Sequence, residues 1–186
     1  IVVHPETGEV YGSFTGNAAR GTPGKEGRNA LHKANNSFGS IVRWREQGGD
    51  VAATRFDWDV FIEGGSAEAS NPAERGTVKG DAFTNPDSLV FDYGGNLWLC
   101  TDTAEADEKA LLALRGNDAV LAADIRTGET RRFLVGPQGC EITGLCFTPD
   151  NRTAWVNIQH PTHWPDRARD GRGRSGTGLI EKLDGG

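Results

Sequence analysis

Long apolar runs are missing from this sequence. Nowhere do about 18 uncharged apolar residues follow one another, which excludes a membrane-spanning helix. Basic residues are also short, 20 Lys and Arg against 26 Asp and Glu for a net charge of −6. That balance argues against nucleic acid as the main partner, because a phosphate backbone selects for clustered cations; it is compatible with bound metal ions. Cysteine is scarce and odd in number. Cys100, Cys140 and Cys146 lack C-x-x-C spacing, so neither a disulfide framework nor a zinc site is expected, and buried free thiols are. No G-x-S-x-G elbow, H-E-x-x-H or Walker-type glycine loop is present, and the serine hydrolase, zincin and nucleotide-hydrolase readings lose their signals.

What the chain does have is turns, with 26 Gly and 8 Pro but no Met in 186 residues, and a repeat. Ile1 to Asn17, Leu89 to Asp102 and Leu145 to Pro161 share one plan, a short apolar strand, a polar turn and a second short strand. The turns at His4–Gly8, Asp92–Asn96 and Thr148–Arg152 supply the fixed φ of Pro or the positive-φ tolerance of Gly and Asn, and read as hairpins. Further strands are expected at Gly39–Trp44 and Phe56–Ile62, at Ala119–Asp124 and Glu129–Val135, and at Thr177–Glu181. A blade of four strands takes about 40 to 50 residues, so the expected fold is all-β, a partial β-propeller of about three blades (1–64, 82–136 and 141–182), the last short of a strand. One short helix is possible at Ala104–Leu114, where helix formers cluster. Gly16–Ser37, Gly64–Asn85 and Thr162–Gly176 read as loops.

Three blades cannot close a ring of four to eight, and open sheet edges favour association between copies. The chain also opens on Ile1-Val2-Val3 as if in mid-strand. The expectation is a segment of a longer protein, in which the lack of a targeting signal says nothing of compartment.

Propeller blades converge at the axis, where the innermost strands start. Two carboxylates stand at those starts, Asp87 in Asn-Pro-Asp-Ser-Leu and Glu141 in Gly-Cys-Glu-Ile-Thr. Oxygen donors of this kind suit hard or borderline cations, and ordinary turn chemistry is the bland reading of Asp87. His4, His32 and His163 read as solvated. His160, at a strand end, suits a site or a structural hydrogen bond equally. Arg167, Arg169, Arg172 and Arg174 form a basic run that reads as a solvated loop, the alternative being a phosphoryl clamp. The Trp residues read as filling between blades.

Taken together, VVHPETGEVYGSFTGN, SIVRWREQGGDVAATRFDWDVFI, NPDSLVFDYGGNLWLCTD and VLAADIRTGETRRFLVGPQGCEITGLCFTPDNRTAWVNIQHP resemble the C-terminal part of PhoX-type alkaline phosphatases. The resemblance runs from Ile1 to about Gln159 and continues more weakly beyond. It implies a six-bladed, propeller-like enzyme, periplasmic or secreted, that hydrolyses phosphate monoesters with an axial calcium and iron cluster. It places Asp87 and Glu141 among the cluster's carboxylate ligands. It also implies a glutamate and a substrate-binding arginine before Ile1 and a bridging cysteine further upstream, none of which this chain contains, and a histidine where Ser40 stands. The expectation is a fragment inactive alone, its metals belonging to the intact parent. Two rival readings remain, a non-enzymatic binding propeller and a calcium-dependent lactonase-like hydrolase. The VRWRE and FDWDVFI signatures speak against the lactonase, and Asp87 and Glu141 pointing into solvent or pairing with Arg would favour the binding module.

Overall fold

A computed structural model describes residues 1–17, 36–72, 74–103, 116–160 and 176–181, the last of these as backbone. The helix expected at 104–114, most of the 16–37 loop and the arginine run lie outside these residues. The described chain is nearly all β: β1 (Val2–Val3), β2 (Val10–Phe14), β3 (Ser40–Glu46), β4 (Phe56–Glu63), β5 (Lys79–Gly80), β6 (Pro86–Phe91), β7 (Leu97–Thr101), β8 (Ala119–Ala123), β9 (Glu129–Val135), β10 (Glu141–Phe147), β11 (Thr153–Gln159) and β12 (Gly176–Glu181). They form three open sheets, β1-β2-β3-β4, β5-β9-β8-β7-β6 and β10-β11-β12. Apart from β5, which joins β9 in parallel, each sheet is an antiparallel meander. The three repeats supply the first hairpin of each.

Period-2 alternation explains how the sheets stack, because successive strand residues face opposite sides. On β7 and β8, Leu97, Leu99, Ala119, Leu121 and Ala123 point toward the first sheet and join Tyr11, Ile41 and Ile62 in one core. Their neighbours Cys100 and Val120 point the other way, into a second core with Cys140, Ile142, Val156 and Ile158. The inner strands β7 and β8 of the middle sheet are therefore buried on both faces. Tyr11 meets Phe61 and Phe91 edge to face, and Trp98 lies between Phe133 and Phe147, a geometry suited to the aromatic quadrupole. Trp98 fills space between sheets as expected; Trp155 is 39% exposed.

Three sequence readings need correction. The 64–85 stretch is more than a loop: Phe83 is fully buried in the first core beside Val78, and Lys79–Gly80 forms β5. His4 is only 4% exposed. Its Nδ1 accepts the backbone N–H of Glu6 and of Thr7, both at 3.1 Å, and its ring packs on Phe91. Cys146 is exposed, whereas Cys100 and Cys140 are buried, and all three thiols are free. Cys146 falls on the outward face of β10, because the register shift after Ile142 turns Leu145 toward the core and its neighbour outward. At Gly39, φ is +77° and an added Cβ would come within 2.3 Å of the Phe14 carbonyl oxygen, so this crossing between β2 and β3 requires glycine.

Candidate functional site

Where β6 and β10 begin, β7 and β11 end, and antiparallel pairing puts all four ends on one rim. Asp87 is exposed on β6. The β6–β7 register shifts between Pro86 and Leu89, a bulge that accommodates Asp87 and Ser88. A second shift lies between Ile142 and Gly144 on β10. Bulges of this kind re-aim side chains at strand ends. The two irregular segments are tied together: the Ser88 hydroxyl donates to the Thr143 carbonyl at 3.0 Å, and the Ser13 hydroxyl of β2 donates to the Asp87 carbonyl. Asn85, with φ +47°, knits the rest. Its N–H donates to the Phe38 carbonyl at 2.7 Å, its side-chain oxygen accepts the Gly16 N–H at 2.9 Å, and its carbonyl accepts the Asp102 N–H at 3.0 Å.

Asp102 is the residue the sequence reading missed. An acid at a strand exit looks ordinary until the hairpin pairs Pro86 with Thr101 and brings that exit beside the start of β6. Strand pairing was the available signal: the last residue of LWLCTD must return to the level of NPDSL. Next to it lies Asp118, 4% exposed. Its Oδ1 accepts the hydroxyls of Thr101 at 2.5 Å and Thr103 at 3.0 Å, and its Oδ2 accepts the Thr103 N–H at 3.0 Å.

These groups lie within one another's electrostatic reach. Burial lifts the Glu141 carboxyl above its usual range, and the charges of Asp102, Asp87 and Asp118 add to the lift, with His160 opposing. Asp102 is lifted likewise, by burial and then by Asp118 and Asp87, again with His160 opposing. Like charges close together disfavour ionisation in this way. His160 thus stands at the same rim, exposed, with φ +51° and its Nε2 2.5 Å from the Gln159 amide nitrogen. Among the described residues no Arg or Lys forms an ion pair with Asp87, Asp102 or Glu141, and none donates a hydrogen bond to the carboxylate of Asp102 or Glu141. Nor do three His, Cys, Asp or Glu side chains among them stand close enough to hold a metal ion unaided. The donors are hard oxygens whose charge no Arg or Lys among the described residues pairs, which fits one side of a cation site and not a complete one.

A family profile described as alkaline phosphatase PhoX matches residues 1–162. The chain belongs to the PhoX family. Among solved structures, Pseudomonas fluorescens PhoX in complex with vanadate, a transition state analogue, is similar at 38% identity and a TM-score of 0.85. That match covers 99% of this chain and 33% of the Pseudomonas chain, so the chain spans about a third of that PhoX protein. No curated protein matches. The resemblance carried by NPDSLVFDYGGNLWLCTD and its companions is thereby borne out at the level of the PhoX family, and the all-β class with it.

Proposed function

We propose that this chain is part of a metal-dependent phosphatase that hydrolyses phosphate monoesters, and that its three sheets are adjoining blades of a propeller exported to the periplasm or beyond. The observation that carries the reading is the gathering of Asp87, Asp102 and Glu141 on one rim of a PhoX-family chain. The binding-module alternative called for Asp87 and Glu141 to point into solvent or to pair with Arg; Asp87 is exposed, Glu141 is half-buried, and among the described residues neither pairs with Arg. Asp87, Asp102 and Glu141 would hold the cations from one side, calcium and iron in this proposal, with His160 at the margin. Bound there, such ions polarise a phosphoryl oxygen and activate water. The chain's own part is to set three oxygen donors at fixed positions on strand ends and to concentrate negative charge that draws the ions in. The remaining ligands and the group that binds the phosphoryl oxygens come from elsewhere in the intact protein, so the fragment alone does not turn over. Its open sheet edges are free to pair between copies, which sedimentation of the isolated chain tests.

In the intact protein, Asp87→Asn and Glu141→Gln should each lower bound calcium or iron and reduce phosphate-ester hydrolysis by about 100-fold or more, the scale on which loss of one preorganised electrostatic group acts. Full metal content with undiminished turnover in both variants would make these carboxylates ordinary turn residues. Metal-dependent turnover by the 186-residue chain would overturn the claim that it is inactive alone.

A further inference from the structure

We propose that Asp118 is the positioning residue for Asp102, an assignment that rests on the phosphatase reading above. The carboxylate of Asp118 grips the chain on both sides of Asp102: through the Thr101 hydroxyl on one side, and through the hydroxyl and N–H of Thr103 on the other. Thr101 is itself held, its hydroxyl oxygen accepting the Ala119 N–H at 3.0 Å. The Asp118 carbonyl accepts the Gly136 N–H at 2.8 Å and anchors the grip to the end of β9. Between the two threonines, the Asp102 N–H is taken by the Asn85 carbonyl at 3.0 Å. Three consecutive residues at a strand end, where backbone usually frays, are thus tied by hydrogen bonds.

The side chain in the middle of this grip is the one left without a donor among the described residues. Fixing the backbone while leaving the carboxylate open is what a metal-binding position requires, because ligand placement is set by the groups behind the ligand. Both oxygens of Asp118 are engaged as acceptors. An asparagine could still accept the Thr103 N–H and donate its amide to the threonine hydroxyls, so a test of the grip has to remove the side chain's polar atoms altogether. Burying that carboxylate costs free energy that only such hydrogen bonds offset. Its charge also adds to the negative field on Asp102 and Glu141, which makes the position and the charge of Asp118 separate contributions to cation binding.

Those contributions separate experimentally in the intact protein. Asp118→Ala removes grip and charge together; Thr103→Val removes a hydroxyl donor and leaves every charge in place. Each is made alone and with Asp102→Asn, and calcium affinity is measured by calorimetry alongside amide exchange at Asp102 and Thr103. The expected result is a loss of about tenfold in calcium affinity for either variant, the scale of outer-shell changes around a metal. Faster exchange at both amides should accompany it; once Asp102 is asparagine, Thr103→Val should weaken affinity no further, and the Asp118 variant only by the smaller part its charge contributes through Glu141. Undiminished losses in the Asp102→Asn background, or unchanged exchange at both amides, overturn the proposal. Should Asp102→Asn bind calcium as the wild type does, the metal-site reading fails instead, and faster amide exchange alone then decides whether Asp118 holds Asp102 in place.

Discussion

The two rims of the molecule use the same residue type in opposite ways. At the hairpin rim, Asp92 accepts the N–H groups of Gly94 and Asn96, the Asn96 amide and the Trp98 indole. Burial works against its charge there, yet those hydrogen bonds prevail and hold the carboxyl below its ordinary range. Asp124 and Asp150 cap the turns of β8–β9 and β10–β11 in the same manner, with lowered values fed chiefly by the N–H of Thr127 and by the Thr148 hydroxyl respectively. At the other rim, Asp102 and Glu141 are lifted, by burial first and then by neighbouring carboxylates, Asp118 and Asp87 for Asp102, Asp102 and Asp87 for Glu141. A carboxylate that closes a turn is satisfied by the turn; one left wanting a partner is where an external cation would be bound.

The largest expected effect that sharpens this contrast is in stability. Asp92→Ala strands several buried donors, each costing about 1 to 3 kcal/mol, and should lower the unfolding free energy of the intact protein by about 3 kcal/mol. Asp102→Asn, which removes a like charge, should leave metal-free stability unchanged or raise it by about 0.5 kcal/mol. Denaturant unfolding compares the two, and equal losses would erase the distinction between the rims.

The same contrast should be visible against pH. Asp92, with its folded pKa depressed, contributes stability that is present above its unfolded value and lost as pH falls through the folded one. Asp102 and Glu141 have raised folded values, so metal-free protein should lose stability as pH rises from the ordinary carboxylate range through those raised values. Thermal unfolding without metal should therefore peak at mildly acidic pH. Asp92→Asn should flatten the acid limb, and the double variant Asp102→Asn, Glu141→Gln should flatten the limb above it. A smaller effect concerns the thiols: Cys146 should be alkylated in the native protein, while Cys100, buried and pushed up to about 12, should react only on unfolding, as read by mass spectrometry.

Strands and hairpins were legible in the sequence because their signals are local. Alternation is visible within one strand, and Asp-Tyr-Gly-Gly-Asn or Thr-Pro-Asp-Asn announces its turn without reference to anything distant. Asp87 and Glu141 were legible because each opens a repeated strand. Asp102 was not, since its importance comes from the level at which a neighbouring strand ends. Phe83 sits alone in a polar stretch and shows no period, so nothing marked it as core. The burial of His4 depends on Phe91 in another sheet, a contact that exists only once the sheets have stacked.

Because β7 is covered on both faces, Leu99 and Cys100 report on different parts of the molecule although one peptide bond separates them. A truncation at Leu99 loosens the contact with the first sheet and one at Cys100 the contact with the third. Adjacent codons thus tune two interfaces independently, and a spectroscopic label on each would tell in one experiment which neighbour departs first when the protein unfolds.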